Sequence, residues 1–424
     1  MPDTIDALFA FAAAAAIAWL LVPVAEDLAV RVGAIDVPRE RSLHTHPTPR
    51  LSGVAILIAV LAAGAIFLPW DVETRAILGG AALISLVGMI DDLIELPAVA
   101  KLLGQTAAAI IPVAAGVTVE VFTLPFIGGV DPGGTILFEL PFSGGEVSLG
   151  DVGTVVGLVA IANVINLIDG VDGLAAGVCV ISAVTLAAIA LSLDRNAAGV
   201  LAAVTAGAAL GFLRHGFPPA SSFMGDTGSN LLGFLLGAIA VQGALKTNAV
   251  VALAFPLVVL AVPILDTSFV VAKRLKYRRP IFGADRSHFH HRFANVGFSQ
   301  RRTIAYLYGW TAAMAAFALA LRFVPYSNDR GDFNLGWTAV MIGFFLVAAF
   351  ASVRLLIALE ILKLRRWRFR QVSEVTHTEP SPEAIDEGVA HELETGSFAT
   401  VDPETGEFAA IDPDTGEFEA IEKR

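Results

Sequence analysis

Three acidic clusters stand directly beside long apolar segments, and no other feature constrains this chain as strongly. The clusters are Asp91-Asp92, the polar stretch from Asn163 to Gly173, and Asp226 within a glycine-rich turn. A carboxylate beside a membrane segment is energetically costly, so such residues are functional candidates by default. Their placement predicts a site for metal and phosphate at a membrane surface.

Composition places the chain among polytopic membrane proteins. Of its 424 residues, 55% are hydrophobic, and the mean hydropathy is +0.71. These values exclude an ordinary soluble enzyme. The single cysteine, Cys179, lies in an apolar segment. It leaves no partner for a disulfide within the chain and no cysteine-ligated metal site, so we expect a buried, inert thiol.

Apolar segments predict the number and the direction of the membrane spans. A spanning helix needs about 20 apolar residues, and eleven segments approach that length, near residues 5–25, 51–69, 76–90, 101–117, 152–168, 174–193, 197–213, 229–246, 249–271, 304–324 and 335–361. With the N-terminus outside, and leaving aside Arg354 and the final Lys423-Arg424, the inner segments hold 20 Lys and Arg residues and the outer segments hold five. Because basic residues favour the cytoplasmic side, the sequence predicts an all-α fold with the C-terminus and all three acidic clusters in the cytoplasm.

Two regions depart from this helical pattern. Residues 118–122 and 135–140 are short β-prone runs separated by glycine-rich turns, which predicts a small extracellular β-hairpin. From Gln371 onward the chain carries 15 acidic residues against two basic ones and repeats every ten residues. Such dense like charge predicts a disordered cytoplasmic tail. We therefore expect a membrane domain over 1–370 and a tail over 371–424.

The paired carboxylates at the end of the third apolar segment need not share one role. Asp91 and Asp92 would point about 100° apart on a helix. One could face a bound phosphate or metal while the other holds a neighbouring lysine or a helix end. Simple helix-end chemistry is the alternative, although acidic residues at a helix C-terminus oppose the helix dipole.

The two other clusters carry oxygen ligands suited to a hard cation. Asn166, Asp169 and Asp172 are spaced by three, so on a helical turn they would share one face. Gly170 and Gly173 would instead permit an unwound turn or a close backbone approach. Their oxygens suit Mg²⁺ and also suit the edge of a nucleobase. Asp226 lies in a glycine-flanked turn before the eighth segment, where it could hold Mg²⁺ against a diphosphate. The alternative for this turn is an N-cap, a role that Ser229 would fill better.

Basic residues on the predicted cytoplasmic side complete the candidate site. Residues 273–302 carry nine Lys and Arg together with the motif Ser287-His288-Phe289-His290-His291-Arg292. The histidines alone would be compatible with zinc, but the adjacent arginines favour an anion pocket. Residues 39–50 add further cations, including Arg41. Lys101 is either a contact to phosphate or a basic residue that only helps to set the membrane orientation.

The order of these motifs resembles that of the polyprenyl-phosphate N-acetylhexosamine-1-phosphate transferases. The resemblance covers residues 39–302 and is carried by Asp91-Asp92, residues 163–175, residues 223–229 and His288 to Arg292. It implies a bacterial plasma-membrane enzyme with a cytoplasmic site. UDP-GlcNAc and a polyprenyl phosphate would give polyprenyl-diphospho-GlcNAc and UMP with Mg²⁺, for which Mn²⁺ could substitute. A homodimer is compatible with the resemblance, and nucleic acid is not an expected partner.

The same resemblance implies roles for individual residues. Asp226 and Asn166 are expected to ligate the metal, and Asp91 and Asp92 are the expected catalytic residues, with Asp91 activating the lipid phosphate. Lys101 is an expected phosphate contact. The remaining expected substrate-binding residues are Arg41, Asn163, Asp169, Gly170, Asp172, Phe223, His288, His290, His291 and Arg292.

Three alternatives stay open, namely another branch of the family, a transporter and a membrane scaffold. The motifs resemble the GlcNAc-1-phosphate branch more than the phospho-MurNAc-pentapeptide branch, which usually has three adjacent histidines. Ser42 and Ser52 replace a usual Lys and Gly, which weakens the expected phosphate contacts around Ser42. A transporter would share the many spans, but the polar motifs collect on one side and no inverted halves are evident. A membrane scaffold would not need three acidic motifs beside glycine.

Overall fold

The computed structural model describes most of the membrane region and three short strands of the tail. The described residues are 2–37, 46–120, 122–124, 128–139, 146–245, 258, 260–276, 299–325, 334–346, 349–350, 400–401, 408–411 and 418–420.

The described part of the chain is mostly helical. In chain order the helices are α1 (Pro2–Val32), α2 (Gly53–Phe67), α3 (Val72–Ile94), α4 (Ala98–Ala114), α5 (Leu149–Ile168), α6 (Leu174–Ser192), α7 (Asn196–Gly216), α8 (Gly225–Ile239, continued by a π-helix, Ala240–Leu245), α9 (Ala261–Lys276), α10 (Gln300–Phe323) and α11 (Leu335–Leu346). Each predicted apolar segment overlaps one of them. Six helices, α1, α3, α5, α6, α7 and α10, are long and apolar enough to cross a membrane. The fold is that of a polytopic membrane protein, whereas eleven spans and their orientation stay predictions.

Small residues bring the helix backbones close together. An added Cβ on Gly207 or Gly211 of α7 would overlap backbone carbonyls of α1. A Cβ on Gly233 of α8 would lie 2.7 Å from the Cα of Ala162 on α5. Since lipid is as apolar as leucine, close van der Waals packing rather than apolar burial drives such helix pairs together. The glycine content of the chain therefore supports a tight bundle.

Helix α8 is the central helix of the site-bearing end of the bundle. Its residues from Thr227 to Ile239 are all buried, and it packs against α2, α3 and α5. Two glycines allow its first turn to approach its neighbours. A Cβ on Gly53 would overlap the backbone nitrogen of Gly228, and one on Gly88 would lie 2.5 Å from the carbonyl oxygen of Asp226. The start of α8 is thus fixed between α2 and α3.

The segment that the sequence predicts to be extracellular differs from the predicted single hairpin. β3 (Phe122–Leu124) pairs antiparallel with β4 (Gly128–Val130), and β5 (Ile136–Glu139) pairs antiparallel with β6 (Glu146–Ser148). The two predicted runs therefore do not pair with each other. Each finds a nearer partner beyond its own turn, which needs a shorter loop closure.

Strands also occur at the ends of the chain. Upstream of α2, β1 (Ile35–Asp36) pairs with β2 (Thr48–Pro49). In the tail, β7 (Thr400–Val401), β8 (Phe408–Ile411) and β9 (Phe418–Ala420) form an antiparallel sheet. The sequence predicts a disordered tail in which each repeat could form a transient hairpin turn. The structure has strands at these nine residues, and disorder of the rest of the tail stays a prediction. Two Asp-Pro-x-Thr-Gly sequences, residues 402–406 and 412–416, flank the apolar run of β8, a pattern typical of strands joined by turns.

The chain folds as two compact units. The first comprises residues 1–267 and 300–337, and the second comprises residues 268–299 and 338–424. All of the described candidate site residues lie in the first unit. The predicted division into 1–370 and 371–424 stays a prediction.

Candidate functional site

Two carboxylates and one ammonium group meet where α3, α4 and α8 converge. The Lys101 Nζ donates to Asp91 Oδ2 at 3.2 Å and also to Asp226 Oδ2. Asp91 Oδ1 accepts the backbone N–H of Leu96 at 2.6 Å. Along the chain, Lys101 is 10 residues from Asp91 and 125 residues from Asp226. The fold therefore joins the first and third acidic clusters around the lysine ammonium.

The second cluster reaches the same place through Asn166. This residue lies in the last turn of α5 and donates its amide to Asp226 Oδ1 at 2.8 Å and to Ser229 Oγ at 2.8 Å. Ser229 in turn donates to the carbonyl of Gly225. Asp226 is consequently held from both sides, by an ammonium group on one oxygen and an amide on the other.

Asp92 has a different role from its neighbour. Its Oδ1 accepts the backbone N–H of Asp226 at 2.9 Å, and its Oδ2 accepts the N–H and the hydroxyl of Thr227 at 2.9 and 2.7 Å. The side chain is 5% exposed. The backbone donors are N–H groups of the first turn of α8, which a helix cannot satisfy internally. Asp92 thus caps α8 from another helix, where a negative charge also complements the helix dipole.

This capping explains why Asp226 stands at a fixed position. Asp226 lies inside the first helical turn of α8, not in a loop as predicted, and Ser229 lies a turn further on and is not the N-cap. Gly225 has φ +63, and a Cβ there would overlap Asp92 Oδ2. Only glycine adopts this conformation at low cost while leaving room for the capping carboxylate.

A layer of buried amides lies one helical turn away from the carboxylates. Gln105 donates to Asn230 Oδ1 at 2.9 Å and accepts from Asn163 Nδ2 at 2.7 Å. Asn163 also donates to the carbonyl of Val159, and Asn230 donates to the carbonyl of Asp226. Asn163, predicted to bind substrate, therefore lies in a network that links α4, α5 and α8.

The sequence allowed either a helical turn or an unwound turn at the second cluster, and the structure has the unwound turn. Helix α5 ends at Ile168, Asp169 is its C-cap, and α6 begins only at Leu174. Gly173 adopts φ +72, which interrupts the helix before α6 begins. Only Asn166 of the predicted triplet lies on α5, and Asp169 and Asp172 follow in the connecting turn.

Asp169 stands in an electrostatic environment that disfavours its charge. Burial, and then the negative charges of Asp226, Asp92 and Asp172, raise the pKa of Asp169 well above the ordinary aspartate value. Burial disfavours the ionised form of a carboxyl, and nearby carboxylates repel it further. This part of the site accordingly favours either a proton or another cation beside Asp169.

The residues predicted for the nucleotide pocket lie near a second turn, residues 217–224. Asp172 Oδ2 accepts the backbone N–H of Ala220 at 3.1 Å, while Gly170 is exposed beside it. Phe223 donates its N–H to the carbonyl of Pro49, and its own carbonyl accepts the N–H of Ser52. The turn is therefore attached to the α5–α6 turn on one side and to the start of α2 on the other.

Sequence reasoning named only part of this network. Arg41, His288, His290, His291 and Arg292 lie outside the described residues, as does Ser42. Four further residues complete the cluster without having been assigned a role in it, namely Gln105, Thr227, Ser229 and Asn230. Helical spacing was a usable signal for two of them, because Gln105 follows Lys101 by four residues and Asn230 follows Asp226 by four. Ser52, where glycine was expected, is buried with its hydroxyl 2.5 Å from that of Ser222.

The donor set of the cluster fits Mg²⁺. Asp91 and Asp226 already converge on a cationic group, the Lys101 ammonium. Asn166 presents its amide nitrogen to Asp226, and turning that amide would present its oxygen instead. Within the described ranges, no three His, Cys, Asp or Glu side chains are grouped to hold a metal. Mg²⁺ commonly uses only one or two carboxylates and completes its coordination with water and substrate phosphate.

Comparisons with known proteins agree on one family. A family model described as glycosyl transferase family 4 matches residues 74–244, which include Asp91, Lys101, Asn166 and Asp226. The chain is 36% identical over 304 residues to a probable undecaprenyl-phosphate N-acetylglucosaminyl 1-phosphate transferase of Bacillus subtilis, covering 71% of this chain and 81% of the relative. It is 35% identical over 324 residues to the decaprenyl-phosphate N-acetylglucosaminephosphotransferase of Mycolicibacterium smegmatis, covering 70% and 77%.

A second group of relatives is more distant. The chain is 33% identical over 309 residues to a phospho-N-acetylmuramoyl-pentapeptide-transferase of Desulforudis audaxviator, covering 66% of this chain and 86% of the relative.

Proposed function

Because the chain belongs to glycosyl transferase family 4, we propose that it transfers GlcNAc-1-phosphate from UDP-GlcNAc to a membrane polyprenyl phosphate. The products are polyprenyl-diphospho-GlcNAc and UMP. The relatives named as GlcNAc-1-phosphate transferases support this donor and this acceptor. The reaction would be the first membrane step of a cell-surface glycan pathway.

One observation carries the proposal beyond the family assignment. Lys101 joins Asp91 to Asp226, and Asn166 holds the other oxygen of Asp226. The cluster is partly exposed, since the side chains of Asp91, Lys101 and Asp226 retain 15%, 18% and 27% of their accessible surface. Catalysis of phosphoryl transfer depends mainly on positioning and electrostatics. It therefore requires oriented charged groups that the substrate can reach.

The balance of charge supports a requirement for a divalent cation. Asp91, Asp92, Asp169, Asp172 and Asp226 lie within one network, and within the described part of the chain Lys101 forms ion pairs with Asp91 and Asp226. Both substrates are anionic, so the carboxylates would repel them. We assign Asp226 and Asn166 as the residues that would hold Mg²⁺, with Asp91 nearby. When bound, Mg²⁺ would neutralise the diphosphate and the charge that develops on UMP.

Asp91 is the residue suited to the lipid phosphate. A phosphate monoester has its second pKa near about 6, so the acceptor is largely ionised at neutral pH and needs no strong base. Asp91 would orient this acceptor or take its last proton, and Lys101 would bind its oxygens. We favour direct in-line attack on the β-phosphorus of the sugar nucleotide. Isolation of a sugar-phosphate adduct on Asp91 without lipid acceptor would instead establish a covalent intermediate.

The proposed location follows from the orientation of the chain. The predicted direction of the spans places the cluster at the cytoplasmic face of a bacterial plasma membrane, where UDP-sugars occur. Gly170, Asp172 and Phe223 would form the uridine side of the pocket. Arg41, His288, His290, His291 and Arg292 would bind the sugar and the diphosphate.

UMP release by the purified protein tests this function. The assay contains detergent, Mg²⁺ and undecaprenyl phosphate, with either UDP-GlcNAc or UDP-MurNAc-pentapeptide as the donor. We expect UMP from UDP-GlcNAc alone and its loss in EDTA. UMP from the pentapeptide donor alone would move the protein to the branch of the more distant relatives. Substrate movement without UMP would favour a transporter.

A further inference from the structure

Helix α10 touches the site through two side chains that the proposed chemistry does not use. The hydroxyl of Tyr308 donates to the carbonyl of Gly173 at 2.5 Å. That carbonyl also accepts the N–H of Gly177 at 3.0 Å within the first turn of α6. A carbonyl oxygen has two lone pairs and accepts both bonds. Gly177 leaves room for the phenol ring, because a Cβ there would overlap Tyr308.

The second contact reaches the turn before α8. Arg301 donates from Nε and Nη2 to the carbonyl of Pro218, at 3.2 and 3.1 Å. Both guanidinium donors therefore bind a single backbone oxygen of residues 217–224. Because the guanidinium group is planar and rigid, two hydrogen bonds from it fix the orientation of the Pro218 carbonyl as well as its distance from Arg301.

The two turns that α10 contacts are also joined to each other. Asp172 accepts the N–H of Ala220. A Cβ on Gly173 would lie 3.1 Å from the carbonyl of Gly216, so the two backbones approach closely. Three contacts thus join three elements in pairs. Tyr308 joins α10 to the α5–α6 turn, Arg301 joins α10 to the α7–α8 turn, and Asp172 joins the two turns.

We propose that Tyr308 and Arg301 are positioning residues that set the affinity for the UDP-sugar. This inference rests on the proposed function, in which Gly170, Asp172 and Phe223 form the uridine side of the pocket. The two α10 side chains hold the backbones that carry these residues. Their hydrogen bonds go to the two turns and not to the Asp91, Lys101 and Asp226 cluster, so they influence donor binding rather than the chemical step.

The opposite end of α10 offers a matched control. Arg322 donates from Nε to Ser192 Oγ at 2.9 Å and from Nη2 to the carbonyl of Ser192 at 2.7 Å. This contact fixes the end of α10 to the end of α6, far along both helices from Gly173. Removing it loosens the same helix pair without altering either turn.

Steady-state kinetics of three variants of the full chain in detergent test the proposal. Tyr308→Phe removes one hydroxyl and keeps the ring, and Arg301→Gln removes the charged fork. We expect each to raise KM for UDP-GlcNAc by roughly three- to tenfold, the effect of one lost hydrogen bond for Tyr308→Phe and of one or two for Arg301→Gln. The kcat and the KM for undecaprenyl phosphate should stay within about twofold. Arg322→Gln should match the wild type in every constant.

Calorimetric titration with UMP separates this proposal from the proposed function. Binding of UMP needs no turnover. If the wild type releases no UMP in the assay, the proposed function fails, but the UMP affinities of the variants still test the positioning role of Tyr308 and Arg301. Weaker UMP binding by Tyr308→Phe and Arg301→Gln alone supports it. Unchanged affinity in both, or an equal loss in Arg322→Gln, would overturn it.

Discussion

Asp92 of α3 accepts both the backbone N–H and the hydroxyl of Thr227 in the first turn of α8. The two residues are 135 positions apart, so a helix cap is supplied by tertiary structure and not by the preceding residue. The adjacent Asp91 faces Lys101 instead. The two neighbouring carboxylates thus have different roles. Asp92 fixes the helix that carries Asp226, and Asp91 lies in the cluster with Lys101 and Asp226.

Replacement of Asp92 should affect stability and activity together. The Asp92 carboxylate accepts three hydrogen bonds, from the N–H of Asp226 and from the N–H and hydroxyl of Thr227. In Asp92→Asn the amide N–H₂ replaces one accepting oxygen, so at least one buried donor loses its partner, which costs about 1–3 kcal/mol. We expect a lower melting temperature and a displaced Asp226, with slower UMP release. Asp71 gives the control, since it caps α3 through the N–H of Thr74 in an exposed position. Asp71→Asn should be nearly neutral, because Asn caps as well as Asp. Equal melting of both variants would contradict the capping role of Asp92.

Replacement of Asp169 should stabilise the protein at neutral pH. Because its pKa is raised in the folded state, Asp169 favours folding when protonated and loses that contribution as pH rises through the raised pKa. Asp169→Asn removes this cost, so the variant should melt higher than the wild type at pH 7 without Mg²⁺. The difference should vanish at acidic pH, where the wild-type carboxyl is protonated. Melting curves against pH provide the measurement, and destabilisation at neutral pH would contradict the prediction.

Asn163 should behave as a structural residue as well as a candidate substrate contact. Its amide bonds to Gln105 and to the carbonyl of Val159, and Gln105 is 1% exposed. Asn163→Ala leaves Gln105 short of a partner, which should lower the free energy of unfolding by about 1–3 kcal/mol. Thermal unfolding in detergent checks this. A variant with native stability and a raised KM alone would assign Asn163 to substrate binding only.

Removal of the tail should leave the reaction intact. The described strands of the tail belong to the second unit, whereas the cluster lies in the first. Truncation after Gln371 should therefore give wild-type UMP release in vitro. A large loss of kcat in a folded, truncated protein would show that the acidic repeats contribute to the reaction.

The family, the helical fold and the meeting of the acidic clusters could be predicted from the chain. The family resemblance, carried by motifs such as Asp91-Asp92 and Asn166, is confirmed by the comparisons. An unwound turn was one of two possibilities that Gly170 and Gly173 left open, because the i, i+3 spacing of Asn166 and Asp169 also suits a helix. The residue at which α5 ends, Ile168, is known only from the structure.

The partners of individual side chains were beyond sequence reasoning. The sequence allowed Asp92 to hold a helix end but could not identify that end as the start of α8. Such a pairing depends on close backbone approach at Gly53 and Gly88, which three-dimensional packing alone reveals. Gln105 and Asn230 were likewise recognisable only as helical neighbours of Lys101 and Asp226.

The most direct test of the central claim is UMP release by Asp226→Ala beside the wild type, with UDP-GlcNAc, undecaprenyl phosphate and Mg²⁺. Asp226 is the carboxylate on which Lys101 and Asn166 converge. Removing it should slow UMP release by about a hundredfold or more in a protein that still folds. Near-normal release by the folded variant would contradict the assignment of this cluster as the catalytic centre.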